Sequence, residues 1–270
     1  MLAHKFNQHR KRLTWPAFTQ PKIDGIRALY NSNRLQSRDG KLWNRDVCAH
    51  ITAALSTLPS HITLDGELYK HGWRLQEINS AVAVNRNEPS PLTYLIEYHV
   101  FDFFDETRPD LPFASRHEHL SAIINHINSP VIRLVPTFEV PDEITFETFF
   151  QDFRARKFEG SMWRDPQSSY GLSERCTNKE NRWPYLLKRK DWLDDWFAVH
   201  SFHYGNGRLS STVGTIVCLT RNGQLFEVGT GFSDSEREHY LSNLPTSLHV
   251  QYETFSRDGI PLKPVYLEAK

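Results

Sequence analysis

Between residues 18 and 104 the chain alternates short runs of aromatic and β-branched residues with turn formers: FTQPKIDGIRALY, RLQSRDGKLW, HITLDGELY and LTYLIEYHVFDFF. Runs of this kind, bounded by Asn, Asp, Gly or Pro, predict the strands of a mixed or antiparallel sheet. Helical spacing of apolar residues appears between and after them, over 44–58, 75–84, 113–127 and 142–157. In the third of these, Leu120, Ile123, Ile124 and Ile127 share a face. The first opens on Asn and Asp capping options and stops before Pro59.

The pattern changes after YLLKRKDW. From Trp196 onward only short β runs with glycine turns remain, and Arg221-Asn222-Gly223 between two such runs is a hairpin signal. About 75 residues built this way predict a small barrel of the OB type. The expected class is therefore α+β, with a mixed-sheet domain over 1–191 and an OB-fold β-barrel over 192–270. No internal repeat or low-complexity tract interrupts this plan.

Composition removes several alternatives. No apolar run approaches the roughly 20 residues needed to span a bilayer, and 13% aromatic residues argue against a disordered tail. Cys48, Cys176 and Cys218 are odd in number and far apart, which excludes a disulfide scaffold and a thiolate zinc site and favours a reducing compartment. The first residues, MLAHKFNQHRKRLTW, lack an apolar signal core, so a cytoplasmic protein is expected. Lys and Arg balance Asp and Glu at 32 each, which rules out a uniformly basic nucleic-acid binder. The charge is segregated, however: residues 1–50 carry ten basic side chains against three acids.

Three segments carry chemistry. In Lys22-Ile23-Asp24-Gly25-Ile26-Arg27 an amine and a guanidinium flank a tight bend, an arrangement that suits either phosphate chemistry or a charged hairpin edge. In ITLDGEL, strand alternation puts Asp65 and Glu67 on one face, where they suit a divalent metal, a ribose hydroxyl or a half-exposed edge. In YLLKRKDW the same rule puts Lys188 and Lys190 together as a phosphate-binding pair. Phe101 offers a face for base stacking or for the core, and Glu159-Gly160 adds a further carboxylate. The pairs His117/His119 and His200/His203 have spacings that diverge on a helix and a strand respectively, so no histidine metal site is expected.

Taken in order, Lys-x-Asp-Gly-x-Arg, Ser37-Arg38, Asp65-Gly66-Glu67, Phe101-Asp102, Glu159-Gly160 and Leu187-Lys-x-Lys190 resemble the motif series of the covalent nucleotidyltransferases. The closest likeness is to the small ATP-dependent DNA ligases. That resemblance spans residues 20 to 190 and implies an adenylation domain followed by the family's OB domain. It implies a lysine nucleophile at Lys22, which takes AMP from ATP, with Asp24 assisting the later sealing step. Gln20 would contact adenine, Phe101 would stack on it, and Arg27 and Arg38 would contact phosphate or ribose. Glu67 would contact the ribose and help place the metal, Glu159 would bind Mg²⁺ or Mn²⁺, and Lys188 and Lys190 would hold the α-phosphate. A free lysine has a pKa of about 10.4, and Lys188, Lys190 and the metal are expected to lower that of Lys22.

The implied partner is nicked duplex DNA, held by the OB domain and by backbone contacts from the basic N-terminal region, with the protein acting as a monomer and away from membranes. Two features depart from the pattern. The basic motif near the C-terminus is reduced to Lys263 and Lys270, and in SSYGLSERCTNKENRWPY Arg175 stands in for the arginine of a Tyr-x-x-Gly-Arg element. An RNA ligase or an mRNA-capping guanylyltransferase of the same superfamily fits the lysine motif as well. A non-catalytic OB-fold single-strand binder is the more distant alternative.

Overall fold

The computed structural model describes residues 1–171, 183–256 and 258–270, and its contacts divide the chain into two compact units, Met1–Lys190 and Asp191–Lys270. Arg175 and Cys176 lie outside the described residues. No helix among the described residues is long and apolar enough to cross a membrane.

The first unit contains ten strands and five α-helices among its described residues. In chain order these are β1 (Ala3–Lys5), α1 (Phe6–His9), β2 (Ala17–Lys22), β3 (Ile26–Asn31), β4 (Arg34–Ser37), α2 (Ala49–Ala54), β5 (Ile62–Tyr69) and α3 (Leu75–Val82). They continue with β6 (Glu97–Asp105), α4 (Phe113–Ile127), β7 (Ile132–Leu134), β8 (Phe138–Val140), α5 (Glu143–Ala155), β9 (Gly160–Arg164) and β10 (Trp183–Lys190). The strands form two five-stranded sheets, ordered β1-β10-β9-β2-β8 and β4-β3-β5-β6-β7. Among the described residues only β1/β10 and β6/β7 pair in parallel. The chain leaves the first sheet at Lys22 and enters the second at Ile26, so the Lys-x-Asp-Gly turn is the crossing point between them.

Each sheet packs its apolar face on helices. Helix α5 starts at Asp142, whose side chain accepts from Thr145 N at 2.7 Å, and buries Phe146, Phe150 and Phe153 at helical spacing. It lies on β2 and β9, where Phe146 meets Phe6, Ala17, Trp163 and Leu187. Helix α4 lies on β6 and β7 and buries Phe113, Leu120 and Ile124. Arg116 occupies the same buried stripe, and its charge is met from the sheet below.

Two elements differ from the sequence reading. The helix expected over 44–58 is confined to Ala49–Ala54, because Asn44 Oδ1 accepts from Asp46 N at 3.0 Å in a local turn and Cys48 sits at φ 65°. The β-rich LTYL is a 3₁₀ turn over Pro91–Leu95, started by Pro91 and a reciprocal Ser90/Thr93 cap, with Thr93 Oγ1 donating to Ala81 O at 2.7 Å. Cys48 and Cys218 are free and buried, and burial pushes each thiol up to about 12.

The second unit is an antiparallel sheet of β11 (Leu193–Tyr204), β12 (Val213–Leu219), β13 (Leu225–Val228), β14 (Ser247–Tyr252) and β15 (Val265–Ala269), ordered β13-β12-β11-β14-β15. Helix α6 (Asp234–His239) packs against β12. The Arg221-Asn222-Gly223 hairpin forms as expected: Gly223, at φ 75°, donates to Thr220 O at 3.0 Å. Among the described residues no β13–β15 ladder closes the expected barrel. The two edges approach just past β13, where Tyr266 N donates to Thr230 O at 2.9 Å and Thr230 Oγ1 to Pro264 O at 3.0 Å.

On this sheet the ring of Trp196 stacks on His249, with centroids 5.0 Å apart, and the Lys270 ammonium sits 3.9 Å from the Trp196 centroid. His249 bonds Asp194 at 2.8 Å and Glu268 at 3.1 Å. The bond to Asp194 outweighs burial, and with Glu268 it raises the imidazole above its ordinary range. A folded-state pKa above the unfolded one stabilises below the unfolded value, and this contribution is lost as pH rises through the folded value. The Tm difference between the wild type and His249→Gln is therefore expected to be largest below about pH 6.5 and to shrink above it. An equal difference at acidic and alkaline pH in thermal melts would contradict this.

Candidate active site

Lys22 is the last residue of β2, and its carbonyl accepts from Glu159 N at 2.8 Å. Across the sheet, Gly160 of β9 stands between Lys22 of β2 and Lys190 of β10. A side chain at Gly160 would run into the Arg189 carbonyl oxygen, so glycine permits this close approach. Both flanking lysines ion-pair with Glu159, Lys22 through Oε2 and Lys190 through Oε1. One row further along, Gln20, Met162 and Lys188 are aligned across the same three strands.

The second sheet supplies the opposite wall. Gly25 N donates to Glu67 Oε2 at 2.7 Å, and a Cβ at Gly25 would lie 2.6 Å from Leu68 O. Arg27 forks onto Asp65 with bonds of 2.9 and 2.7 Å and also donates to the Met1 carbonyl. Tyr170 Oη donates to the same Asp65 carboxylate at 2.7 Å. Asp65 is thus consumed in holding Arg27, and Glu67 is the carboxylate of that pair left beside Lys22.

A cavity of about 930 Å³ lies between these walls, inside the first unit. Gln20, Lys22, Arg27, Arg38, Glu67, Phe101 and Lys188 all line it. Asp24, Glu159 and Lys190 are not in its lining: Asp24 is exposed on the crossing turn, and the other two meet at the end of β10. Arg38 follows β4, more than half exposed, 3.3 Å from Asp39. The Gln20 side chain is buried and its amide already engaged. Nε2 donates to Phe101 O at 3.1 Å and Thr137 Oγ1 at 2.9 Å, while Oε1 accepts from Arg164 at 2.6 Å.

The chain's own groups pull Lys22 in the direction opposite to the expectation, which counted a bound metal as well. Burial pulls the Lys22 ammonium down, but Glu159, Glu67 and Asp24 together outweigh it, so its pKa is raised rather than lowered. The reason is geometric: the Glu159 carboxylate sits between Lys22 and Lys190, so the nucleophile faces anions. Burial raises the Glu159 carboxyl, yet Lys22 and Lys190 hold it below the usual range. Glu67 is pushed up to about 7 by burial, with Glu159 adding to the rise and Lys22 and the Gly25 N–H opposing it. Glu67 and Glu159 are two hard oxygen donors beside Lys22, a set that a divalent cation would relieve. No cluster of three or more His, Cys, Asp or Glu suited to a metal occurs among the described residues. Mg²⁺ ordinarily takes one or two carboxylates plus substrate phosphates rather than a protein cage.

Sequence reasoning missed the buried polar set beneath this cavity. Asp102 accepts from Arg116 at 2.8 and 3.1 Å and from Arg164 at 2.7 Å, and all three side chains are buried. Burial pushes the Asp102 carboxyl up, but the two guanidinium groups outweigh it and hold it below its usual range. The available signal was a single acid inside the aromatic run HVFDFF.

Comparison with known proteins identifies both parts of the chain. The ATP dependent DNA ligase domain family matches residues 1–181, and the DNA ligase OB-like domain family matches residues 204–269. Among solved structures, a Lig E DNA ligase superposes with TM-score 0.81 at 21% identity, covering 100% of this chain and 98% of that one. Chlorella virus DNA ligase-adenylate gives TM-score 0.56 at 24% identity over 100% and 96% of the two chains. The ATP-dependent DNA ligase of bacteriophage T7 in complex with ATP gives 0.55 at 15% identity over 100% and 97%. No curated protein matches the sequence. The matches lend no support to the capping, RNA-ligase or non-catalytic alternatives, and with two thirds of its length inside the adenylation-domain family this chain belongs to the ATP-dependent DNA ligases.

Proposed function

We propose that this ligase seals 5′-phosphate/3′-hydroxyl nicks in duplex DNA as a monomer, with Lys22 as its nucleophile. Lys22 Nζ attacks the α-phosphorus of ATP, forming a P–N bond and releasing pyrophosphate. The AMP then passes to the 5′-phosphate of the nick, and the 3′-hydroxyl displaces AMP to close the strand. The observation that carries this reading is the convergence of Lys22, Lys188, Glu67 and Phe101 on one cavity of nucleotide size.

Phe101 stacks on adenine, Glu67 meets the ribose, and Lys188 and Lys190 hold the α-phosphate. Arg38 reaches phosphate from the cavity mouth. Arg27 presents only the edge that its fork with Asp65 leaves open. With the Gln20 amide engaged, Gln20 contacts adenine chiefly through its main chain. Asp24, exposed at the turn, serves the sealing step. Mg²⁺ or Mn²⁺ held by Glu67 and Glu159 would neutralise the carboxylates that keep Lys22 protonated and share the charge of the phosphates. Arg10, Lys11 and Arg12, exposed in a 3₁₀ turn, suit backbone phosphates of the duplex.

The test is a sealing assay on a labelled nicked duplex. Sealing is expected with ATP and Mg²⁺ on a DNA nick and none with chelator. Preference for an RNA 3′-hydroxyl strand, or for GTP, would overturn the assignment.

A further inference from the structure

Phe101 and Lys22 sit on different sheets, so the distance between base platform and nucleophile depends on whatever ties the sheets together. Beneath the cavity one chain of buried polar contacts does this. Arg116 of α4 forks onto Asp102 of β6 and also donates to Leu111 O and Ser168 O at 2.6 and 2.9 Å. Asp102 receives Arg164 of β9, and the other arm of Arg164 holds Gln20 Oε1 on β2 at 2.6 Å. Gln20 Nε2 then returns to the Phe101 carbonyl at 3.1 Å. The Arg164 guanidinium also lies 5.6 Å from the Phe101 ring centroid and 4.5 Å from that of Phe113. Phe101 is therefore approached by Arg164 twice, at its ring directly and at its carbonyl through Gln20.

We propose that Arg164 is a positioning residue for nucleotide binding: by bridging Gln20 and Asp102 it fixes the Phe101 platform relative to the strand that ends in Lys22. The proposal rests on Phe101 being the adenine platform. Gln20 acts here as a strut whose amide orientation Arg164 and the Phe101 carbonyl set from opposite ends. A lysine in place of Arg164 keeps a cation for Asp102, yet one ammonium cannot reproduce the fork that reaches both partners.

The test follows formation of the protein–AMP adduct at varied ATP in wild type, Arg164→Lys, Gln20→Ala and the double variant, with Tm recorded for each. Arg164→Lys is expected to raise the ATP concentration for half-maximal rate about tenfold while the limiting rate stays within about threefold. Gln20→Ala is expected to do the same, and the double variant to be no worse than the poorer single, because both remove one linkage. A fall in Tm with unchanged ATP dependence, or single effects that multiply in the double variant, would overturn the proposal. If the wild type forms no adduct, the assignment of Lys22 fails instead, and the two failures are distinct.

Discussion

Lys22→Ala is expected to lower sealing of a 5′-phosphate nick by more than about 10³-fold, since loss of the covalent nucleophile removes the first transfer altogether. The folded structure is expected to survive, because the side chain is partly exposed and lies at the end of β2, outside the apolar clusters. Glu159 would lose one of its two ammonium partners and keep Lys190. The informative companion is a nick that already carries AMP on its 5′-phosphate. Sealing of that substrate bypasses the lysine, so the variant should retain a far larger share of wild-type activity on it. Near-wild-type sealing of the plain nick by Lys22→Ala would remove the lysine from the mechanism.

Asp102→Ala is expected to destabilise the protein by about 3–5 kcal/mol, because it strands Arg116 and Arg164 as buried charges without their shared counter-ion. The Asp102 side chain is fully buried, and both arginine side chains are nearly so. In its absence Arg116 keeps two backbone carbonyls and Arg164 keeps Gln20, which satisfies some donors but neither charge. A denaturant titration measures the loss. A cost below about 1 kcal/mol would mean that water or rearranged acids reach the site, against the burial described here. A surface pair such as Arg208–Asp234, both well over half exposed, should cost little when broken.

The strands between residues 18 and 104 and those from β10 onward, α3 to α5, and seven residues that line the cavity were legible in the sequence for one reason, whereas β1, β7, β8 and β9 were not read. Periodicity, turn residues and motif order are local properties, and the cavity is lined from strands that carry local motifs: Lys22 ends β2 and Lys188 lies near the end of β10. What escaped was set by partners far along the chain. Asp102 pairs with residues 14 and 62 positions away, and the Gln20 amide is occupied by groups 81, 117 and 144 positions away. The same cause makes the chain's own groups raise the Lys22 pKa, where the expectation counted the lysines and a metal. Its cationic neighbours were visible as Leu-Lys-x-Lys, but the placement of Glu159 between the lysines follows from the β2-β9-β10 register. LTYL shows a further limit, since a proline and a reciprocal cap outweigh the β preference of four residues.

On the proposed mechanism Lys22 carries AMP between ATP and DNA. Intact-protein mass spectrometry after incubation with Mg²⁺ and ATP, beside GTP, NAD and the Lys22→Ala variant, reads that transfer on the protein itself. A mass gain of one AMP with ATP alone, absent from the variant and lost on adding nicked duplex, is the predicted result. An adduct that persists in Lys22→Ala, or none from folded wild-type protein that does not already carry AMP, would contradict it.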